Sequence, residues 1–254
     1  GYNMAIIAQA LSSLLAFLPR SIAILGGGIG ILLFTLLSGA TATAVRAAFM
    51  ATLVLVSKLV YRPQLGLRLL CVTGIGMLLY SPLLLLDSLS FQLSFLATAS
   101  VMTFQHTLQE SRMFIAYIPN AIRELLATTI AALIGVLPLL MYTFHATSII
   151  APLSNILVLP VIPFAMFCVF IVGTFGFLPI IPVVFSWMGE LLLRYVFVVS
   201  NVLSYIPGSL ITVEWVSLSV MLAMYGVLAS IGYRVLNTQL QETNPIEGRV
   251  DVIL

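Results

Sequence analysis

Charged residues are scarce in this chain of 254 residues: they make up 7% of it, whereas hydrophobic residues make up 61%. A water-soluble domain carries about 25% charged residues, and even a well-packed domain leaves roughly a quarter of its unfolded-chain surface exposed to solvent. The composition therefore excludes a water-soluble globule and indicates that lipid surrounds much of the chain.

A basic excess is missing as well, because ten Lys and Arg residues are balanced by eight Asp and Glu residues, for a net charge of +2. A protein that coats a nucleic-acid duplex concentrates many more cations on its surface. Cysteines are equally few. Cys71 and Cys168 lie in separate apolar stretches, which is typical of small hydrophobic side chains and not of a disulfide framework or a metal site.

Signatures of catalysis are missing from the sequence. It has no HExxH motif, no GxSG motif followed by a histidine, and no pair of aspartates expected on facing helices. We therefore expect no enzyme activity, no cofactor and no metal site. Neither a TVGYG-type filter repeat nor the basic ladder of a voltage sensor is present, which disfavours a dedicated ion channel. The function classes that remain are translocation of a cargo across the membrane and scaffolding.

Long gaps between charges predict an all-α, polytopic transmembrane bundle, since about 20 apolar residues span the hydrocarbon core. We expect about nine membrane elements, the last of which ends where the chain turns polar. They are Asn3–Leu18, Ser21–Leu37, Thr41–Val60, Gly66–Ser81, Leu89–Phe104, Ala121–Phe144, Ile150–Phe177, Val183–Ser204 and Trp215–Arg234.

The element Ile150–Phe177 contains Asn155, Pro160 and Pro163. Proline interrupts the helical hydrogen-bond ladder, so we expect this element to be kinked, broken or re-entrant. The positive-inside rule places most basic loops on the cytoplasmic side. The orientation of everything after residue 150 nevertheless depends on whether this element crosses the membrane, and the sequence leaves both orientations open.

Two charged residues are candidates for function because polar groups in a bilayer are costly. Arg46 lies within SGATATAVRAAFM, a segment rich in small and hydroxyl-bearing residues. The pattern is equally compatible with an arginine that holds neighbouring helices together and with one that lines a cavity. Asp87 precedes SLSFQLSF and is expected to cap the helix that follows. Both residues are predicted in the outer half of the membrane, so we also consider that they pair.

Uncharged polar residues raise the same two alternatives. Gln92 and Ser94 in FQLSF, and Asn155 in APLSNILVLP, either join helices to one another or contact cargo, because hydrocarbon offers their polar atoms no partner. Glu190 and Arg194 lie four residues apart, so on one helix they can neutralise each other, and we interpret them as structural.

Several segments together resemble one family: GYNMAII at Gly1, LSGATATAVRAAFM around Arg46, LLLLDSLSFQLSFLA around Asp87, and APLSNILVLPVIP from Ala151. They are similar, in order and spacing over most of the chain, to the competence domain of the ComEC family of bacterial DNA-uptake proteins. At the first segment, Asn3 occupies the last position of the family's SG-x-H/N string, and the serine of that string is missing.

The resemblance implies a multi-pass protein of the bacterial inner membrane that forms a channel for single-stranded DNA during natural transformation. It also implies other competence proteins as partners, such as a DNA receptor and a cytoplasmic translocase. With the polar residues noted above, it gives an expected DNA path of Asn3, Arg46, Asp87, Gln92, Ser94 and Asn155. Two other classes stay open: a small-solute secondary transporter and a non-transporting membrane scaffold.

The ends of the chain predict a piece of a longer protein. We expect residues 1–236 to form the transmembrane domain, and residues 237–254 to form a linker and the start of a truncated downstream domain. The family often combines this domain with an OB-like and a metallo-β-lactamase-like domain, and the closing RVDVIL resembles the first strand of the latter. Any nuclease activity is therefore expected outside these residues.

Overall fold

The structure is a computed structural model. It describes residues 20–37, 39–59, 66–110, 119–148, 150–177, 180–206, 208–212 and 216–243.

Ten helices and two short strands are found in these ranges. They are α1 (Arg20–Leu37), α2 (Ala42–Leu59), α3 (Gly66–Tyr80), α4 (Leu84–Asp87), α5 (Leu89–Glu110), α6 (Asn120–Phe144), β1 (Ala146–Ser148), α7 (Ala151–Val158), α8 (Ile162–Phe175), α9 (Ile181–Ser204), β2 (Leu210–Thr212) and α10 (Leu218–Thr243).

The all-α class predicted from the sequence is confirmed. In hydrocarbon a backbone must satisfy its own hydrogen bonds, and a helix does so within one segment. The two strands have three residues each and pair antiparallel, with Thr147 opposite Ile211. This ribbon links the residues after α6 to those before α10.

The number of long apolar helices is smaller than the nine membrane elements expected. Within the described ranges three helices are long and apolar enough to cross a membrane, Asn120–Phe144, Pro182–Ser204 and Leu218–Thr238, or four if a bent pair is one span. Three others, Leu25–Leu37, Ala42–Val54 and Gly66–Tyr80, are apolar but shorter. The number of residues between two charges limits how long an apolar helix can be, but it does not determine the length of the helix that forms. The first expected element, Asn3–Leu18, lies outside the described residues.

The bend expected in Ile150–Phe177 is confirmed. Helices α7 and α8 meet at an angle of 46° across Leu159–Val161, at the position of Pro160. Proline removes one backbone donor and clashes with the preceding turn, so the helix breaks here. A second proline, Pro163, falls in the first turn of α8, where a missing N–H group costs nothing.

The chain divides into two compact units, Gly1–Ala99 and Ser100–Leu254. In the first unit α1 packs on α2, and Ile31 and Ala48 form the centre of the contact with 1% and 5% of their surfaces exposed. Helix α3 approaches its neighbours at two glycines. A Cβ atom on Gly76 would lie 3.2 Å from the Phe49 ring, so the missing side chain is what lets the helices come this close.

In the second unit α6 presents a row of small residues. Ala127, Ala131 and Gly135, four residues apart, are all buried along it. The Ser100 hydroxyl donates to the carbonyl of Ala131 at 2.6 Å, and the Tyr225 hydroxyl donates to the carbonyl of Gly135 at 3.2 Å. Small side chains allow close helix contact, and side-chain hydrogen bonds to a backbone carbonyl reinforce it.

Helix α10 runs to Thr243, nine residues beyond the predicted end at Arg234. The added residues contain no glycine or proline before Pro245, so nothing in them stops a helix. The predicted domain boundary after residue 236 stays a prediction. The β-type run at 249–254 lies outside the described residues.

Candidate functional site

Arg46 lies in α2 with only 7% of its surface exposed. Its Nη1 atom donates to the backbone carbonyl of Ser94 at 2.6 Å and to the hydroxyl oxygen of Thr98. The Thr98 hydroxyl in turn donates to the same Ser94 carbonyl at 2.8 Å. Ser94 and Thr98 are one turn apart on α5, so their polar groups face α2 together. Arg46 therefore binds α2 to α5 through neutral acceptors.

An aromatic wall completes the surroundings of the guanidinium. The Arg46 Cζ atom lies 5.8 Å from the centre of the Phe95 ring, a distance at which the ring quadrupole attracts a cation. Phe91 lies beside Phe95, with 4.4 Å between the ring centres. On the other side, a Cβ atom on Gly74 of α3 would be 3.1 Å from the Phe95 ring. Gly74 thus leaves the space that this ring occupies.

The charge of Arg46 is not balanced within the described residues. No carboxylate there forms an ion pair with it; the ion pairs found are His106–Glu110 and Arg194–Glu190. The Nε atom of Arg46 is buried and has no hydrogen-bond partner in the same part of the chain. A buried polar group without a partner costs about 1–3 kcal/mol, and more for a charged group. A guanidinium in this condition favours the arrival of an anion, and a phosphate oxygen fits its donors.

Replacing Thr98 with valine tests how much of this geometry depends on the hydroxyl. The change keeps the shape of the side chain but removes one hydrogen-bond acceptor of Arg46. We therefore expect the free energy of unfolding to fall by about 1 kcal/mol, which a lower midpoint in the thermal unfolding of the detergent-purified protein would show. Thr52→Val is the matched control, since the Thr52 hydroxyl bonds only to Ala48 on its own helix. Equal stability of both variants would contradict an anchoring role for Thr98.

Asp87 does not have either of the roles expected for it. It is the last residue of α4 and is exposed, and it forms no ion pair with Arg46. The side chain that caps α5 belongs to its neighbour: the Ser88 hydroxyl accepts a hydrogen bond from the Phe91 amide at 3.2 Å. A serine directly before the first helical residue is in the position where capping works, whereas Asp87 is one residue too early.

Gln92 joins two helices. Its Nε2 atom donates to the carbonyl of Leu85 at 2.7 Å and to that of Leu86 at 3.4 Å. These carbonyls belong to α4, a helix of four residues whose last carbonyls have no partner inside it. Of the two alternatives for Gln92, the structure shows the helix-joining contact.

Two predicted residues remain, Asn155 and Asn3. Asn155 is in the second unit, where its Nδ2 atom donates to the Thr129 hydroxyl of α6 at 3.2 Å. Asn3 lies outside the described residues. The structure thus brings Arg46 and Ser94 together, gives Gln92 a separate set of partners, and places Asn155 against α6.

Sequence reasoning missed Thr98, Phe95 and Gly74 as neighbours of Arg46. A signal for Thr98 was present, because hydroxyl residues four apart, Ser94 and Thr98, share one helix face. Phe95 and Gly74 gave no comparable signal, since aromatic residues and glycines are common throughout the chain.

The long apolar helices, the composition and the polar contacts between helices define an all-α membrane protein. The model of the competence protein family matches residues 1–237. The chain therefore belongs to the competence protein family.

A curated relative supports this assignment. ComE operon protein 3 of Bacillus subtilis (strain 168) is 29% identical over 141 residues, which are 56% of this chain and 17% of that protein. The match thus spans about a sixth of the relative's length. No solved structure matches the chain.

Proposed function

We propose that the chain is the part of a bacterial inner-membrane channel that passes single-stranded DNA into the cytoplasm during natural transformation. Membership of the competence protein family supports a role in DNA uptake. Buried Arg46, which has no counter-ion among the described residues, is the observation that favours a phosphate-bearing cargo. The proposal includes multi-pass insertion of the apolar helices into the membrane.

A conduit has to admit phosphates and still release them. One strongly held cation in an apolar bundle is suited to this, because binding must be favourable enough for the strand to enter and weak enough for it to leave. The protein then needs no catalytic group and no cofactor of its own. A DNA receptor outside the membrane and a translocase on the cytoplasmic side are the proposed partners, as the family resemblance implies.

Surface binding and internalisation of DNA can be measured separately to test the proposal. Labelled double-stranded DNA is added to transformable cells that carry the intact gene or a deletion of it, and the total and nuclease-resistant label are counted. We expect the deletion to abolish nuclease-resistant label and to leave surface-bound label intact. Unchanged internalisation would contradict the proposal and favour a solute transporter or a scaffold, and loss of both signals would assign the protein to DNA binding at the surface.

A further inference from the structure

Helix α9 has two faces of different character. The residues that recur every three or four positions and contact the neighbouring helices are Phe185, Gly189, Leu192, Val196, Val199 and Leu203, all of them buried or half-buried. Gly189 lies against Cys168 of α8, where an added Cβ atom would be 3.4 Å from that side chain, and the Phe185 ring meets the Phe167 ring at 6.1 Å. This is the packed face of α9.

A second row of residues lies on the other side of the helix. At 100° per residue, it falls within an arc of about 80° whose centre is about 140° from the centre of the packed face. Every member is exposed. We call this row the polar stripe of α9; it consists of Ser186, Glu190, Arg194, Phe197, Asn201 and Ser204.

The charged members of the polar stripe lie at mid-depth. The span Pro182–Ser204 has 23 residues, so its middle residue is Leu193, and Glu190 and Arg194 lie within about 5 Å of that level along the helix axis. Their side chains are 57% and 75% exposed, and they form an ion pair of 2.7 Å with each other. A charged residue at the centre of a bilayer costs about 2.5–3.5 kcal/mol even on the most permissive scale. Lipid is therefore a poor neighbour for this face.

The ion pair alone does not make the face suitable for lipid. It neutralises the net charge, but it satisfies only some of the donors of a guanidinium and some of the acceptors of a carboxylate. The stripe also continues beyond the pair. From Ser186 to Ser204 it rises about 27 Å, close to the roughly 30 Å of the hydrocarbon core. A row of this length, polar at every position except Phe197, is suited to a water-filled passage through the membrane.

The chemistry of the stripe suits a single nucleic-acid strand better than a protein partner. Contacts between membrane helices favour small residues that let the backbones approach, whereas the stripe carries the long side chains of Glu190, Arg194 and Phe197. A strand is met by cations that contact phosphates and aromatic rings that stack on bases. Arg194 and Phe197 supply one of each, about one turn apart. Glu190 already holds Arg194, so each contact stays weak and a moving strand is not trapped.

We propose that the polar stripe of α9 lines the water-filled passage and is a contact surface for single-stranded DNA. Arg194 meets phosphate oxygens there, and Phe197 stacks on bases. This inference rests on the proposed function, because the strand is the cargo assigned to the channel.

Cysteine labelling at two positions of α9 tests this inference. Phe197 is on the stripe, whereas Leu191 lies about 100° around the helix from the centre of the stripe and about 3 Å from the middle of the span; both side chains are apolar and exposed (76% and 68%). The full-length protein in cell membranes carries Cys71→Ser, which removes an exposed thiol, and retains Cys168, which is buried. Phe197→Cys or Leu191→Cys is then added and treated with a hydrophilic, membrane-impermeant thiol reagent, with and without a single-stranded oligonucleotide.

We expect the Phe197→Cys protein to be labelled, the Leu191→Cys protein to stay unlabelled, and the oligonucleotide to suppress the labelling at position 197. Equal labelling of both positions would overturn the inference, because the helix would then be surrounded by water. The absence of labelling at both would overturn it in favour of a face covered by lipid or by another protein, and labelling that the oligonucleotide leaves unchanged would overturn the DNA contact. DNA internalisation is measured separately, in cells with the unsubstituted protein. If position 197 is not labelled and internalisation is normal, this inference is refuted and the proposed function stands.

Discussion

Replacing Arg46 with methionine is expected to reduce the internalisation of DNA about ten- to a hundredfold while surface binding of DNA stays unchanged. A hydrogen bond to a charged group is worth about 1.5–3 kcal/mol, and each 1.4 kcal/mol in a barrier is a factor of about ten in rate. Arg46 is buried, and its Nε atom has no partner in the part of the chain that the structure describes. Under the proposed function, this unpartnered donor is the contribution of Arg46 to holding a phosphate, and the described part of the protein does not already use it.

Methionine separates a transport role from a structural one. Replacing a buried charge by an apolar side chain of similar volume often leaves stability unchanged or raises it, so the Arg46→Met protein is expected to accumulate normally. Arg46→Lys keeps the charge but loses the planar fork of donors, and partial function is expected. Arg68→Ala is the control, because Arg68 is an exposed arginine of α3 in the same unit. Normal internalisation by an abundant Arg46→Met protein would show that Arg46 only joins α2 to α5.

The surroundings of Arg46 explain how a cation persists in an apolar bundle. Its Nη1 atom uses a backbone carbonyl and a hydroxyl, and the Phe95 ring covers one side of it. None of these groups carries a negative charge, so the site is desolvated but not neutralised. A phosphate that reaches Arg46 therefore has no permanent counter-ion to displace among the described residues.

The sequence predicted the helices far better than it predicted the partners of their polar residues. The helix expected at Ala121–Phe144 is found at Asn120–Phe144, and the break expected near Pro160 is present. Both follow from local physics, namely charge spacing and the missing amide of proline. The expected number of spans depended on helix length, which packing and turns determine, and the described residues contain fewer long helices than predicted.

Partners of the candidate residues depend on how distant segments pack, and periodicity does not carry that information. Arg46 meets a carbonyl 48 positions further along the chain, and nothing in its own segment indicates α5 as the neighbour. The capping role was assigned to Asp87 although Ser88 performs it; such errors arise because helix ends are uncertain by one or two residues when read from sequence. Polar residues from different family-like segments, such as Arg46 and Asn155, can therefore serve different contacts.

Replacing Ala131 with leucine is expected to have the largest effect on stability in the second unit. Ala131 is fully buried in α6, and its carbonyl accepts the Ser100 hydroxyl at 2.6 Å. Three added carbon atoms have no space at this fully buried position without moving a neighbouring helix, and overpacking of a buried site costs about 1–3 kcal/mol or more. Thermal unfolding of the detergent-purified protein measures this loss, and we expect a clearly lower midpoint than for the unsubstituted protein.

Ala223→Leu provides the matched control for this change. Ala223 is on α10 in the same unit, and its side chain is exposed, so the same enlargement there meets no neighbour and is expected to leave the midpoint almost unchanged. The contrast between the two alanines tests the packing of α6 directly, because propensity and added hydrophobicity are equal in both variants. If Ala131→Leu unfolded at the same temperature as Ala223→Leu, the row of small residues on α6 would not be a close-packed contact, and the positions assigned to Ala127 and Gly135 on the same row would have to be revised with it.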